Sequence, residues 1–118
     1  MASRNYQDLI AWQRAMDLVE AIYRFTATLP KQETYGLVSQ MRRASVSIPS
    51  NIAEGQGRGG SPEFVRFLRI AHGSLRELET QVFICDRLGY GCLEDRQLLL
   101  KLTAEVGRIL NGLVKSKA

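Results

Sequence analysis

The chain has 118 residues, 45% of them apolar and 24% charged, which is the size and composition of one globular domain and excludes a disordered chain. No apolar run is long enough to span a bilayer, and the N-terminal MASRNYQDL lacks a hydrophobic signal core, so we expect a cytoplasmic protein without membrane contact. Sixteen Lys and Arg residues oppose twelve Asp and Glu, and this net charge of +4 favours polyanionic partners over neutral ones. A solvated basic surface with local ion pairs is the alternative.

The first two helical patterns occupy the N-terminal half of the chain. The first, over residues 9–29, begins after a capping Asp8 and ends at Pro30. Its apolar stripe consists of Trp12, Met16, Val19, Tyr23 and Thr26, with Ala15 and Ile22 beside it. The second covers residues 34–54, with the stripe Leu37, Met41, Ala44, Ile48 and Ile52. Because this stripe stays in phase across Pro49, it predicts one kinked helix rather than two.

The last two helices complete an all-α fold. The third is predicted over residues 61–88, from the start signal Ser61-Pro62-Glu63 to the capping Gly89. Its stripe is Phe64, Leu68, Ala71, Leu75, Leu78, Val82 and Cys85. The fourth, over residues 93–115, has the stripe Leu98, Leu102, Val106, Ile109 and Leu113. Short connections predict a single domain over residues 1–118, an antiparallel up-down-up-down four-helix bundle with flexible termini at 1–7 and 116–118.

Helices 2 and 3 carry small or apolar residues outside their core stripes. On helix 2 the small residues recur at three- and four-residue spacing, which allows another backbone to approach closely. Exposed apolar side chains of this kind are unusual on monomers, so we expect a homo-oligomer. A wide core stripe with scattered surface apolar residues is the alternative. The predicted interface residues are Tyr35, Ser39, Val46, Ser50, Ala53, Val65 and Phe83.

The glycine-rich segment GQGRGG, residues 55–60, matches G-x-G-x-x-G. A dinucleotide site needs a strand before this motif, whereas here a helix precedes it, so the pattern indicates an inter-helix loop and no cofactor. A weaker alternative is a phosphate held by the loop, Arg58 and the start of helix 3, which Glu63 would oppose.

Catalytic groupings are not supported. Arg66 and His72 have the Arg-x5-His spacing of the helical HEPN ribonucleases, but Phe67 occupies a position that is typically polar there. Glu77 and Glu79 point to different sides of helix 3. Cys85 and Cys92 suit reduced thiols, one of them in the core, better than a zinc site. We therefore expect a non-enzymatic protein with no catalytic residues, metal or cofactor.

Arginine is the most informative residue type, because its planar guanidinium binds phosphate through paired hydrogen bonds. Helix 3 presents a line of arginines opposite its core stripe, helix 2 adds two more, and the loop adds another. Their spacing indicates backbone-directed binding of RNA or DNA, with ion pairs to Glu63, Glu77, Glu79 and Asp86 as the alternative. The predicted nucleic-acid-binding residues are Arg42, Arg43, Arg58, Arg66, Arg69, Arg76 and Arg87.

Three segments carry a family resemblance: DLIAWQRAMDL, TYGLVSQMRRASVSIPSNIAEG and EFVRFLRIAHGSLRELETQVFICDRLGY. Together they resemble the bacterial four-helix-bundle family encoded by intervening sequences in 23S rRNA genes. The resemblance implies a homopentamer, and it extends to the accessory variability determinant (Avd) of diversity-generating retroelements, a basic pentamer that binds nucleic acid and partners a reverse transcriptase. The matching positions are Arg42, Arg43, Ser47, Ile48, Asn51, Ile52, Glu54 and Gly55. It supplies no catalytic residues and does not imply binding to rRNA.

The residues and the resemblance together favour a non-enzymatic oligomeric accessory protein that binds structured RNA or DNA. The alternatives are a scaffold that docks an acidic protein such as a polymerase or reverse transcriptase, and a HEPN-like RNase. Within the oligomer, small residues of helix 2 would pack against a neighbouring subunit. Arg42 or Arg43 would either face a shared basic surface or form an inter-subunit ion pair with an acid such as Glu54.

Overall fold

A computed structural model describes residues 5–117, and in this range all regular elements are helical. The four long helices are α1 (Ile10–Thr26), α2 (Ser39–Gln56), α3 (Ser61–Leu88) and α4 (Leu93–Lys117). The predicted all-α fold of four helices is confirmed. No helix in the described range has the length and hydropathy needed to cross a membrane.

Contacts between neighbouring helices give the direction of each. Arg42, early in α2, binds Thr26 at the end of α1. Further along, Ser47 of α2 contacts Ser74 of α3, and the end of α2 packs on the start of α3. Asp86 and Arg96 pair across the α3–α4 turn, and Arg14 of α1 reaches Glu105 of α4. Each helix is therefore antiparallel to the next, and α4 closes the bundle against α1.

The core stripes of α2 and α3 follow the prediction. Every residue predicted for the α3 stripe is buried, and so are four of the five predicted for α2, with Leu37 partly buried. The α2 helix continues through Pro49 to Gln56. Gly89 ends α3 with φ of 73°, in the left-handed conformation that a glycine accepts without strain.

The core stripe predicted for α1 is only partly right: Thr26 and the adjacent Ala15 and Ile22 are buried as predicted, but the other stripe residues are not. The residues that α1 buries in the core are Ala11, Ala15, Leu18, Ile22, Phe25 and Thr26, whereas Trp12, Met16 and Val19 are partly buried and Tyr23 is exposed. Apolar residues lie on two adjoining faces of α1, so periodicity alone does not choose between them. The stripe with Ala11 and Ala15 faces the core because small residues let the neighbouring helices approach closely.

The boundaries of α1 and α2 also differ from the prediction. α1 ends at Thr26 rather than at residue 29, and Asp8 lies in a 3-10 turn (Tyr6–Asp8) that Asn5 caps. Residues Thr34–Val38 form a π-helical segment interrupted at Gly36, so α2 begins at Ser39. Of the termini predicted to be flexible, residues 5–7 belong to the 3-10 turn and its cap and residues 116–117 to α4, whereas residues 1–4 and 118 lie outside the described range.

Glu33 organises the irregular start of α2. Its Oε1 accepts the Leu37 backbone N–H at 3.2 Å, and its Oε2 accepts the Tyr90 hydroxyl at 2.9 Å. The bond to Glu33 raises the pKa of the Tyr90 hydroxyl. One carboxylate therefore joins the α1–α2 connection to the α3–α4 turn, which are distant in sequence.

In α4 the buried residues are Leu99, Thr103, Val106 and Leu110. Of the predicted stripe, only Val106 is fully buried: Leu98 is exposed, and Leu102, Ile109 and Leu113 are partly buried. The run Leu98-Leu99-Leu100 fits more than one helical face, so sequence periodicity cannot fix the rotation of this helix. The helix itself extends to Lys117, beyond the predicted end at residue 115.

Candidate nucleic-acid interface

The seven arginines predicted to bind nucleic acid fall into three groups that differ in their partners. Arg42 is the most engaged. Its Nε donates to Thr26 Oγ1 at 2.8 Å and one terminal nitrogen donates to the Tyr23 carbonyl at 3.3 Å. The guanidinium carbon also lies 4.5 Å from the centroid of the Tyr23 ring. Arg42 thus joins α2 to the end of α1, and its guanidinium interacts with groups of the same subunit.

The second group pairs with acids on the same stretch of chain. Arg58 lies 2.6 Å from Glu54, Arg66 lies 3.1 Å from Glu63, and Arg76 lies 3.2 Å from Glu79. These pairs are of the i,i+3 or i,i+4 type and mainly solvent-exposed, with only Glu79 partly buried, and such pairs contribute about 0.3–0.5 kcal/mol to stability. Such arginines can exchange a carboxylate for a phosphate at little cost.

The third group consists of Arg43, Arg69 and Arg87. All three are exposed, and none forms an ion pair, hydrogen bond or ring contact with any residue in the range 5–117. Arg108 of α4 has the same character and was missed in the sequence. The antiparallel register of α3 and α4 is the signal that would have found it. Gly107 packs on Leu75, which lies between His72 and Arg76 in the sequence of α3, so Arg108 follows a residue of the α3–α4 contact.

His72 lies partly buried on the side of α3 that faces α4. It lines a cleft of about 240 Å³ together with Leu75, Arg76, Glu79, Thr103, Ala104, Gly107, Arg108 and Asn111. An adjoining hollow is lined by Arg69, His72, Gly73, Asn111 and Val114. The cleft therefore gathers positive charge from two helices around one imidazole.

The environment of His72 favours its neutral form. Burial lowers the pKa of His72 from its ordinary value of 6.5, Arg76 lowers it further, and Glu79 opposes both. Its Nε2 atom is buried and has no hydrogen-bond partner within residues 5–117. Arg66 lies over the Phe67 ring beside Arg58, away from the cleft, so the two residues of the Arg-x5-His spacing do not share a pocket.

The residues predicted for a subunit interface do not form one patch. Val46, Ser50 and Ala53 line a groove of about 330 Å³ with Pro49, and Tyr6, Trp12, Met16 and Val19 form its other wall. Tyr35 is 96% exposed, and Ser39 is exposed near it at the start of α2. Val65 and Phe83 are about 27 Å apart along α3, from 18 residues at a helical rise of about 1.5 Å each. Only the α1–α2 groove brings several of the predicted residues together.

Residues of the motif SIPSNIAEG form the seam between α2 and α3. The Asn51 amide donates to the Ser47 carbonyl and hydroxyl at 2.8 and 3.0 Å, and the Ser47 hydroxyl lies 2.8 Å from that of Ser74. Glu54 pairs with Arg58, and a side chain at Gly55 would clash with Phe67. Ser47, Asn51 and Gly55 therefore hold α2 against α3.

Groups suited to catalysis are scarce in the described part of the chain. Residues 5–117 contain no cluster of His, Cys, Asp and Glu that could hold a metal ion. Burial raises the pKa of the Cys85 thiol to about 11, so it stays protonated in the core beside Met41. Cys85 is buried as predicted, and Cys92 is exposed.

In the glycine segment, Gly55 belongs to α2 and Gly60 precedes α3.

Comparison with known proteins places the fold and the family. A crystal structure from Bacteroides thetaiotaomicron, described as a protein of unknown function from the S23 ribosomal protein family, superposes with a TM-score of 0.82 at 20% identity. The match covers 90% of this chain and 96% of that one. Among curated proteins, none matches the chain. The family model described as 23S rRNA-intervening sequence protein matches residues 7–112. The chain therefore belongs to the family of 23S rRNA-intervening sequence proteins.

Proposed function

We propose that this protein is a non-enzymatic accessory protein that binds the phosphate backbone of RNA or DNA as a homo-oligomer. One observation carries the proposal: Arg43, Arg69 and Arg87 are exposed and have no partner among residues 5–117. An unpaired guanidinium can bind a phosphate without first breaking an ion pair with a carboxylate, so its whole charge contributes to binding. Arg108 adds a fourth such group.

The weakly paired arginines extend this surface. Arg58, Arg66 and Arg76 each form one local ion pair, and Arg58 and Arg66 also lie over the Phe67 ring; a polyanion competes effectively with such pairs at low salt. Arg42 is excluded, because its hydrogen bonds to α1 and its stacking on Tyr23 fix it in place. Phe64 and Phe67 are buried, Arg42 covers the Tyr23 ring, and the exposed Tyr35 and Phe83 are assigned to the predicted subunit interface, so we expect recognition of charge and shape rather than of bases.

The oligomer is the second part of the proposal. The α1–α2 groove is lined mainly by apolar residues, and Val46 at its edge is 41% exposed. We propose that another copy of the chain covers this groove; the family resemblance favours a pentamer. Repeating the subunit around a ring would multiply the number of arginines that one polynucleotide contacts.

The experiment that tests the proposal measures binding by fluorescence anisotropy, with a labelled RNA hairpin and a labelled DNA duplex over a salt series. We expect binding at low salt that weakens steeply as salt rises, with a slope of about −0.9 per phosphate contact on duplex DNA. An absence of binding at low salt contradicts the proposal and favours docking to an acidic protein, such as a polymerase or reverse transcriptase. RNA cleavage that is lost in His72→Ala would instead favour the HEPN-like RNase.

A further inference from the structure

The α3–α4 cleft contains a buried hydrogen-bonding atom with nothing to bind. The Nε2 atom of His72 is inaccessible to solvent and has no partner within the described residues. Buried polar atoms are nearly always satisfied in folded proteins, and one that is not calls for an explanation, such as a water or an ion that completes it. His72 lines the cleft, so a rotation of its ring would bring the unpaired nitrogen to a small group bound there.

The groups around His72 are those that bind an anion. Arg76 comes from α3 and Arg108 and Asn111 from α4, while Arg69 lines the adjoining hollow. Glu79 is the single acid lining the cleft, and Arg76 already neutralises it at 3.2 Å. Arg69 and Arg108 have no partners in the range 5–117 and keep their full charge. The cleft therefore carries a net positive charge with hydrogen-bond donors from both helices.

Two glycines leave space at this site: Gly107 lines the cleft and Gly73 lines the adjoining hollow. A Cβ atom at Gly73 would meet nothing within 4 Å, and one at Gly107 would lie 3.4 Å from Leu75 Cδ2. Neither glycine is needed for a close backbone contact, so a larger side chain at either position would fit the fold and only reduce the space. The volume of the cleft, about 240 Å³, is ample for a phosphate group.

We propose that the α3–α4 cleft is a binding site for one phosphate group, with His72 Nε2 donating a hydrogen bond to a phosphate oxygen and Arg108, Arg69 and Asn111 supplying charge and further donors. This inference deepens the proposed function and rests on it, because it assigns the phosphate to the backbone of the bound polynucleotide. Inorganic phosphate and the phosphodiesters of a polynucleotide offer the same oxygen acceptors, and the experiment below tests each source separately.

The site makes binding dependent on pH. The charged groups facing His72 are Arg69, Arg76 and Glu79 on α3 and Arg108 on α4. In the free protein, burial and Arg76 keep the imidazole neutral at neutral pH. A phosphate beside it favours the imidazolium and so raises the pKa of His72. The phosphodiesters of a polynucleotide do not titrate in this range, so their binding should strengthen as the pH falls from about 7.5 to about 5.5.

His72 is the sole histidine of the chain, so NMR of the untagged protein gives a single set of imidazole signals. We would titrate the protein with inorganic phosphate, and separately with a short DNA duplex, at low salt. Each probe is expected to shift the imidazole signals and to raise the pKa of His72 by about one unit, which means about tenfold tighter binding to the protonated form.

Arg108→Gln and Arg87→Gln provide matched variants. Both remove one exposed, unpaired arginine, but only Arg108 lines the cleft. We expect Arg108→Gln to weaken the His72 response to both probes about tenfold, whereas Arg87→Gln leaves the response to inorganic phosphate unchanged while weakening duplex binding. An equal effect of the two variants on the phosphate response overturns the proposal.

The outcomes separate this inference from the proposed function. Duplex binding that leaves the His72 signals unchanged, with no response to inorganic phosphate, overturns the cleft site and leaves the proposed function intact. A response to phosphate without any duplex binding supports an anion site but overturns its assignment to a polynucleotide, and the proposed function fails with that assignment. A response to both probes supports the inference as stated.

Discussion

Gly55 on α2 lies so close to α3 that a methyl group on its Cα would stand 2.5 Å from the Cβ of Phe67. A Cβ is fixed to its backbone, so relief of this clash requires the two helices to move apart. We therefore predict that Gly55→Ala lowers the free energy of unfolding by about 1–3 kcal/mol, the usual cost of overpacking a core. Urea denaturation followed by circular dichroism measures it.

Gly57→Ala is the control for this substitution. A Cβ there would lie no closer than 3.6 Å to any neighbour, and its backbone already has a right-handed helical conformation. Its effect should stay within about 0.5 kcal/mol. Equal stability of Gly55→Ala and the wild type would show that the α2–α3 seam is not closely packed.

The adjacent arginines Arg42 and Arg43 should behave oppositely. Arg42 donates hydrogen bonds to Thr26 and to the Tyr23 carbonyl, so Arg42→Ala should cost about 1.5–3 kcal/mol of stability, as for bonds to a charged group. Arg43 has no partner in the range 5–117, so Arg43→Ala should leave the unfolding free energy unchanged. Thermal and urea unfolding of both variants measure this difference.

Sedimentation of the same Arg43→Ala variant decides between two roles for this residue. If Arg43 faces a phosphate, the variant keeps its assembly state and binds nucleic acid more weakly. Dissociation of the assembly, with a folded subunit, would assign Arg43 to an inter-subunit ion pair instead.

The pH dependence of stability should report His72. Its pKa is lower in the folded chain than the ordinary 6.5, because of burial and then Arg76, so below about pH 6.5 the unfolded chain binds more protons. Stability should therefore fall as the pH decreases through this value toward the folded pKa. Comparing urea unfolding at pH 7.5 and pH 5.5 for the wild type and His72→Gln isolates this contribution.

The variant His72→Gln has no imidazole to titrate, so its loss of stability over this pH range should be smaller than that of the wild type. A loss as large as in the wild type would mean that other groups cause the pH dependence.

The proposed interface is tested by placing a charge in the α1–α2 groove. Val46→Glu should convert the assembly to folded monomers, because a carboxylate in an apolar interface is costly to bury. Ile84→Glu is the matched control, since Ile84 and Val46 are both 41% exposed and Ile84 does not line the groove. Analytical ultracentrifugation measures the masses. An unchanged mass for Val46→Glu, or dissociation by Ile84→Glu alone, would place the interface elsewhere.

How well the sequence predicts the buried face of a helix depends on how many apolar faces that helix has. The α3 stripe was predicted correctly because its apolar residues define one continuous face from Phe64 to Cys85. In α1, two adjoining faces are apolar, and the second, with Trp12 and Met16, lines the groove beside Val46 instead of the core. Local periodicity does not distinguish an apolar groove from a core, because both need the same side chains.

The candidate sites were predictable only in part. Spacing along α3 anticipated pairs such as Arg66–Glu63, but not which arginines would remain unpaired. The partners of Arg42 lie on another helix, and the cleft at His72 depends on Arg108, which is 36 residues away in sequence. Contacts of this kind depend on the antiparallel register and on the rotation of each helix about its axis. The spacing of residues within one helix determines neither of these.

The most direct test of the central claim compares two triple variants with the same net charge. One replaces the unpaired Arg43, Arg69 and Arg87 by alanine; the other replaces the exposed Arg24, Lys31 and Lys117. Each lowers the net charge from +4 to +1, since three positive charges are removed. Anisotropy with a DNA duplex over a salt series is the measurement.

We predict that the first triple variant binds at least tenfold more weakly at low salt and that its salt slope is reduced by about 2–3, the number of lost phosphate contacts per subunit. The second should remain close to the wild type. Equal loss of affinity in both triple variants would mean that only the net charge matters, and it would contradict the assignment of binding to these arginines.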